Sequence, residues 1–64
     1  MFNKFKNNEI VLITGYGKEN NDYYENVVAQ IICRDPFYLD YFVQFPDGTE
    51  DWFDSIFIKK YEGD

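Results

Sequence analysis

The chain has 64 residues, with twelve Asp and Glu against six Lys and Arg, a net charge of −6, no histidine and a single cysteine, Cys33. That composition excludes an internal disulfide, a Cys/His metal centre and the commonest proton shuttle of neutral-pH catalysis. A chain this short forms one domain at most and buries a reduced fraction of its surface, so seven Phe, six Tyr and one Trp must supply much of the core.

Residues 1–8 read as a loosely held arm from which Phe2 and Phe5 can pack back. The arm is followed only by "IVLI", too short for a secretory leader, and no stretch nears the ~18 apolar residues of a membrane span. The expected setting is cytoplasmic, with Cys33 reduced and no membrane partner. "EIVLIT", residues 9–14, is β-branched and apolar and predicts a buried strand. Residues 15–25, "GYGKENNDYYE", read as a long polar loop, and 26–34, "NVVAQIICR", as a second strand that ends at Asp35-Pro36.

A third strand spans 38–45, "YLDYFVQF". The clearest local signal follows: Pro46-Asp47-Gly48-Thr49 sets φ at the proline and needs a positive φ at the glycine, so it predicts a tight hairpin. "EDWF" returns as a fourth strand, "DSIF" makes one helical turn capped by Asp54 or Ser55, and "IKKY", residues 58–61, closes as a fifth strand. No segment carries a sustained 3.6-residue apolar period. The expected core is Ile10, Leu12, Val28, Ile31, Tyr41, Val43, Phe45 and Ile58.

This order of elements is that of an all-β, five-stranded antiparallel SH3-like barrel with one short helical turn before the last strand. Residues 40–61, "DYFVQFPDGTEDWFDSIFIKKY", resemble the second half of Tudor and chromo-barrel domains, with a Tyr-x-Val-x-Phe strand, an Asp-Gly hairpin, an acidic-aromatic return strand, a helical turn and a terminal strand. The resemblance implies a single barrel domain over residues 9–64. The first half departs from the family pattern, Tyr16 being the nearest counterpart of its first cage aromatic.

Catalytic machinery is hard to assemble from these residues. Gly15-Tyr16-Gly17-Lys18 lacks the spacing of a phosphate-binding loop, and Asp47-x-x-Glu50-Asp51 lacks that of an EF-hand. Cys33 has no base beside it except Arg34, and Glu50, Asp51 and Asp54 alternate in facing with no deep cleft to desolvate them. A non-enzyme without cofactor or metal is expected.

Aromatic rings beside carboxylates remain. Taken singly, each ring is most simply a packing residue, but a domain this small has no room for all of them. Strand alternation turns Tyr41, Val43 and Phe45 inward and Phe42 outward, and sends one of Trp52 and Phe53 out. Loop geometry of SH3-like barrels brings Tyr16, Tyr23, Tyr24, Phe37, Tyr38 and Trp52 toward one end, beside Glu25, Asp35 and Asp54. With Phe42, Glu50 and Asp54 they form an aromatic-acidic surface suited to a partner protein with a basic face.

Nine acids against Arg34 lie between Lys18 and Lys59, a sign of charge that disfavours direct binding of nucleic acid and also serves solubility. The leading expectation is a non-catalytic protein-binding module, monomeric or weakly dimeric. A second expectation is an inhibitor that imitates nucleic acid, since tiny acidic chains of this kind resemble phage-encoded blockers of host nucleases or polymerases. Nine charges match only about 15 Å of duplex, which limits such mimicry to one small footprint. A third is a small structural subunit whose aromatic patch is an oligomer contact.

Overall fold

The computed structural model describes residues 4–63, so Phe2 lies outside the described residues. Five antiparallel strands, β1 (Ile10–Tyr16), β2 (Tyr23–Arg34), β3 (Asp40–Gln44), β4 (Glu50–Asp54) and β5 (Ile58–Lys60), form one sheet in the order β4-β3-β2-β1-β5. A single 3-10 turn, Ser55–Phe57, precedes β5, and Asp54 caps it by accepting from Ile56 N at 3.1 Å. β4 and β5 are the sheet's edges, and no ladder joins them among the described residues.

The hairpin predicted at 46–49 is present, and its chemistry is that of its residues. Gly48 holds φ +93°, a conformation that disfavours a side chain, and Gly48 N donates to Phe45 O at 2.9 Å. The Asp47 carboxylate accepts from Thr49 N at 3.0 Å and Thr49 Oγ1 at 2.7 Å, and these bonds hold it below the usual carboxylate range. The hairpin therefore starts β4 in register, with Phe42 opposite Trp52 and Tyr41 opposite Phe53.

The core lies on one face of the sheet and consists of Phe5, Val11, Ile13, Ala29, Ile31, Tyr41, Val43, Phe45, Phe53 and Ile58. Ile31, Tyr41, Val43, Phe45 and Ile58 stand where alternation predicts. Ile10, Leu12 and Val28 do not: Ile10 is 42% exposed, and Leu12 and Val28 are half-buried on the opposite face. Val11, Ile13 and Ala29 replace them, because the ladder sets Val11 against Ala29 and so fixes the inward parity. A slip of one residue exchanges the two faces of a strand, and the unbroken run Ile10–Ile13 contains no polar residue to mark the outer one.

Two further differences shape the site. β2 begins at Tyr23 rather than at residue 26, so the first loop is only 17–22, and Asn26 adopts φ +52° inside the strand where the β1–β2 register shifts. Such an irregularity bends a hairpin. The arm is also held more firmly than its sequence suggests. Phe5 is 2% exposed and meets the Tyr41 ring edge-on at 5.4 Å, while the Tyr41 hydroxyl accepts from Lys4 N at 3.1 Å and Phe5 N at 3.3 Å. Burying a ring of this size contributes about 2–3 kcal/mol, a large share of what a small domain has.

Candidate functional site

The bent β1–β2 hairpin carries its loop to the free edge of β4. Lys18 N donates to Trp52 O at 2.9 Å and Asn20 Nδ2 to Glu50 O at 3.4 Å. The fastening is Asp51, the one fully buried charged residue among those described. Its carboxylate accepts from Glu19 N at 2.9 Å, Asn20 N at 3.0 Å and Trp52 N at 2.6 Å. Charge-assisted bonds to several backbone donors are what allow a carboxylate to be buried at all. Gly17 packs so closely that an added Cβ would overlap Asp51 Oδ2, so this glycine is required by the approach and not by its φ.

The other acids follow a related pattern. Asp35 accepts from Phe37 N at 2.8 Å and Tyr38 N at 3.3 Å, fixing the β2–β3 loop, and Asp54 caps the 3-10 turn. Asp40 faces Asp54 across the β3–β4 ladder, a like-charge pairing that Lys18 relieves through its 2.9 Å ion pair to Asp40. The bond to Asp40 raises the Lys18 ammonium above its ordinary value, with the charges of Asp54 and Asp35 adding to the effect. Glu50 stands exposed and accepts from Gln44 Nε2 at 3.2 Å.

The predicted aromatic residues fall into distinct groups instead of one cluster. Tyr16 and Tyr23 pair at 5.0 Å on the outside of the first hairpin, each more than half exposed. Phe42 and Trp52 pair at 5.0 Å on the outer face of β3 and β4, both half-buried, while Phe53 takes the inward position. Tyr24 is not a loop ring: it lies on β2, stacks on Phe45 at 4.3 Å and meets Phe53 edge-on at 5.6 Å. Burial raises its hydroxyl above the ordinary tyrosine value.

Phe37 and Tyr38 project from the β2–β3 loop, 88% and 68% exposed, and pair with no other ring among the described residues. Leu39, next in the same loop, and Ile56, in the 3-10 turn, are 58% and 76% exposed, and sequence reasoning missed both. Ser55 N donates to Leu39 O at 3.0 Å, joining the 3-10 turn to this loop. The first loop also reaches this end of the sheet through Lys18.

Among the described residues no group of three or more His, Cys, Asp and Glu is arranged to hold a metal ion, and no helix is long and apolar enough to cross a membrane. Cys33 is a half-buried free thiol opposite Phe42 on β3. The described surface has open grooves, one of about 290 Å³ between Ile10, Val28, Gln44 and Pro46 and one of about 440 Å³ beside Leu12 and Tyr61. No protein-family model matches the chain, and no curated protein matches it either.

Proposed function

We propose that the chain is a non-catalytic protein-binding module whose aromatic-acidic surface takes a partner with a basic face. One observation carries this reading: Tyr16, Tyr23, Phe37 and Tyr38 are each more than half exposed, although the core is filled by other residues. Large rings left exposed in two separate places, the first hairpin and the β2–β3 loop, on a small acidic domain support a role in interaction. The five antiparallel strands and the 3-10 turn before β5 support the SH3-like part of this reading, while the Tudor and chromo-barrel likeness rests on the sequence of residues 40–61. Among the described residues the one buried carboxylate, Asp51, is taken up by three backbone N–H groups and the thiol of Cys33 is only half-buried, which supports a non-catalytic reading.

An inhibitor that imitates nucleic acid needs free carboxylates spaced along a surface. Of the nine acids between Lys18 and Lys59, Asp51 is buried beneath the first loop, Asp47 is bonded within its own hairpin turn and Asp40 is paired with Lys18. That breaks any continuous row of charge, while Asp35 and Asp54 keep their charge close to the exposed β2–β3 loop. The module reading therefore leads. Affinity capture from the native cell tests it. Retention of a basic protein, weakened by salt and unaffected by added duplex DNA, is the expected result. Competition by duplex DNA moves the assignment to a nucleic-acid mimic, and retention that is indifferent to salt removes the acidic surface from the explanation.

A further inference from the structure

We infer that the partner docks on the end of the sheet built by the β2–β3 loop and the 3-10 turn, not on the Phe42–Trp52 face, and that it presents an apolar side chain flanked by Lys or Arg. This inference rests on the binding-module reading and adds the location and the partner's chemistry.

Phe37, Tyr38 and Leu39 are consecutive and 58% to 88% exposed, and Ile56, 76% exposed, follows the Ser55 whose N–H donates to Leu39 O. They are presented on fixed backbone. Asp35 N donates to Asp40 O at 3.0 Å, the Asp35 carboxylate holds Phe37 N and Tyr38 N, and Ser55 N holds Leu39 O. A preordered apolar patch loses little entropy on binding, which is the property of an anchor site. The Phe42–Trp52 pair has already satisfied its rings against each other and is half-buried.

Charge selects the occupant. Asp35, Asp40 and Asp54 lie at this end of the sheet. Among the described residues Lys18 is the base ion-paired there, to Asp40, and Arg34 precedes Asp35 in the chain, so the acids still outnumber the bases. A second copy of this chain would set the same three carboxylates against each other. Phosphate groups of nucleic acid or of an anionic lipid surface meet the same repulsion. A basic protein segment with an apolar side chain among its cations satisfies both halves of the surface.

The test is a two-dimensional NMR titration of the isotopically labelled chain with a short peptide of alternating Leu and Arg, and with a Leu–Glu peptide of equal length as control. Shifts concentrated at residues 35–40 and 54–57, produced by the Leu–Arg peptide alone, are expected. The double variant Phe37→Ser/Ile56→Ser should weaken that binding about tenfold or more while its unperturbed spectrum keeps the wild-type dispersion. Binding that is unchanged in this variant and lost in Trp52→Ser overturns the location and leaves the module reading standing. No shift with the Leu–Arg peptide overturns the partner chemistry, and the capture experiment then judges the module reading by itself. Concentration-dependent dimerisation abolished by the double variant, or sedimentation with phosphatidylserine vesicles, overturns the inference in favour of a second copy or a membrane surface.

Discussion

The loop between β1 and β2 and the loop between β2 and β3 are similar in length and opposite in what they do with their residues. The first is polar, "GKENND", and is fastened: Asp51 is buried beneath it and holds two of its N–H groups. The second is apolar, "DPFYL", and leaves its large side chains in water. An ordinary expectation assigns apolar residues to the interior and polar ones to the surface. Here a carboxylate closes the open edge of the sheet, so the rings of the other loop are not needed for closure. That difference separates a region maintained for stability from one available for contact, and mutation should separate them in the same way.

The largest effect should come from cutting the fastening. Asp51→Ala leaves Glu19 N and Asn20 N without their acceptor at the edge of β4, and bonds of this charged kind make the loss about 3 kcal/mol. Chemical denaturation reads this as a fall in midpoint, which for a domain of this size approaches loss of the fold. Gly17→Ala should do comparable damage from the other side of the same contact, since its Cβ overlaps the carboxylate. Stability unchanged in both variants would remove the distinction between the loops.

A smaller effect tests the strand that underlies the first loop. Val11 is fully buried and Ile10 is 42% exposed, so Val11→Ala should cost about 2 kcal/mol and Ile10→Ala less than about 1 kcal/mol. The opposite ranking in thermal melts would mean that β1 faces the other way. Next in size is Gly48→Val, which forces a β-branched residue to φ +93° at about 1–2 kcal/mol, although open space surrounds the position.

These positions also mark what the sequence made legible. β3, its turn and β4 were readable because Tyr41, Val43 and Phe45 alternate with polar or outer residues and Pro46-Asp47-Gly48 permits few backbone paths. β1 was readable as a strand but not in its facing, since four consecutive apolar residues fit either face equally. The start of β2 was hidden in "YYEN", where Asn26 bends the strand and imitates a loop residue. Asp51 was hidden for a different reason: its bonds reach residues 31 and 32 positions away, and a carboxylate on a short strand reads as exposed. Within the candidate site, Phe37 and Tyr38 were legible as rings that follow the Asp35-Pro36 turn. Leu39 was missed because the third strand reads as starting at residue 38, although β3 starts at Asp40, and Ile56 because one helical turn has no apolar period to show which way its side chain faces.

The apolar loop gives the next smaller prediction. Phe37 is 88% exposed and contacts no other ring among the described residues, so Phe37→Ser should move stability by no more than about 0.5 kcal/mol. A larger loss in equilibrium unfolding would show that this ring supports the fold and would return the second loop to the same category as the first.

The smallest effect belongs to the one side chain that connects the two regions. Lys18 leaves the fastened loop through its backbone bond to Trp52 and reaches Asp40 at the base of the exposed loop with its ammonium. Its folded pKa is raised by that bond, so whatever it contributes is present below the unfolded lysine value of about 10.4 and is lost as pH rises through the folded one. The pair is open to solvent and salt screens it, so the contribution at neutral pH should be smaller than any above. Tyr24, whose hydroxyl is also raised, destabilises the chain at alkaline pH in the same direction, so a single pH profile does not isolate Lys18. Comparison with Lys18→Met does isolate it, because Tyr24 is common to both proteins. The stability difference between them should persist across neutral pH, shrink with added salt and close as the lysine deprotonates. A difference that survives both treatments would mean that the methylene stem of Lys18, and not its charge, joins the two loops.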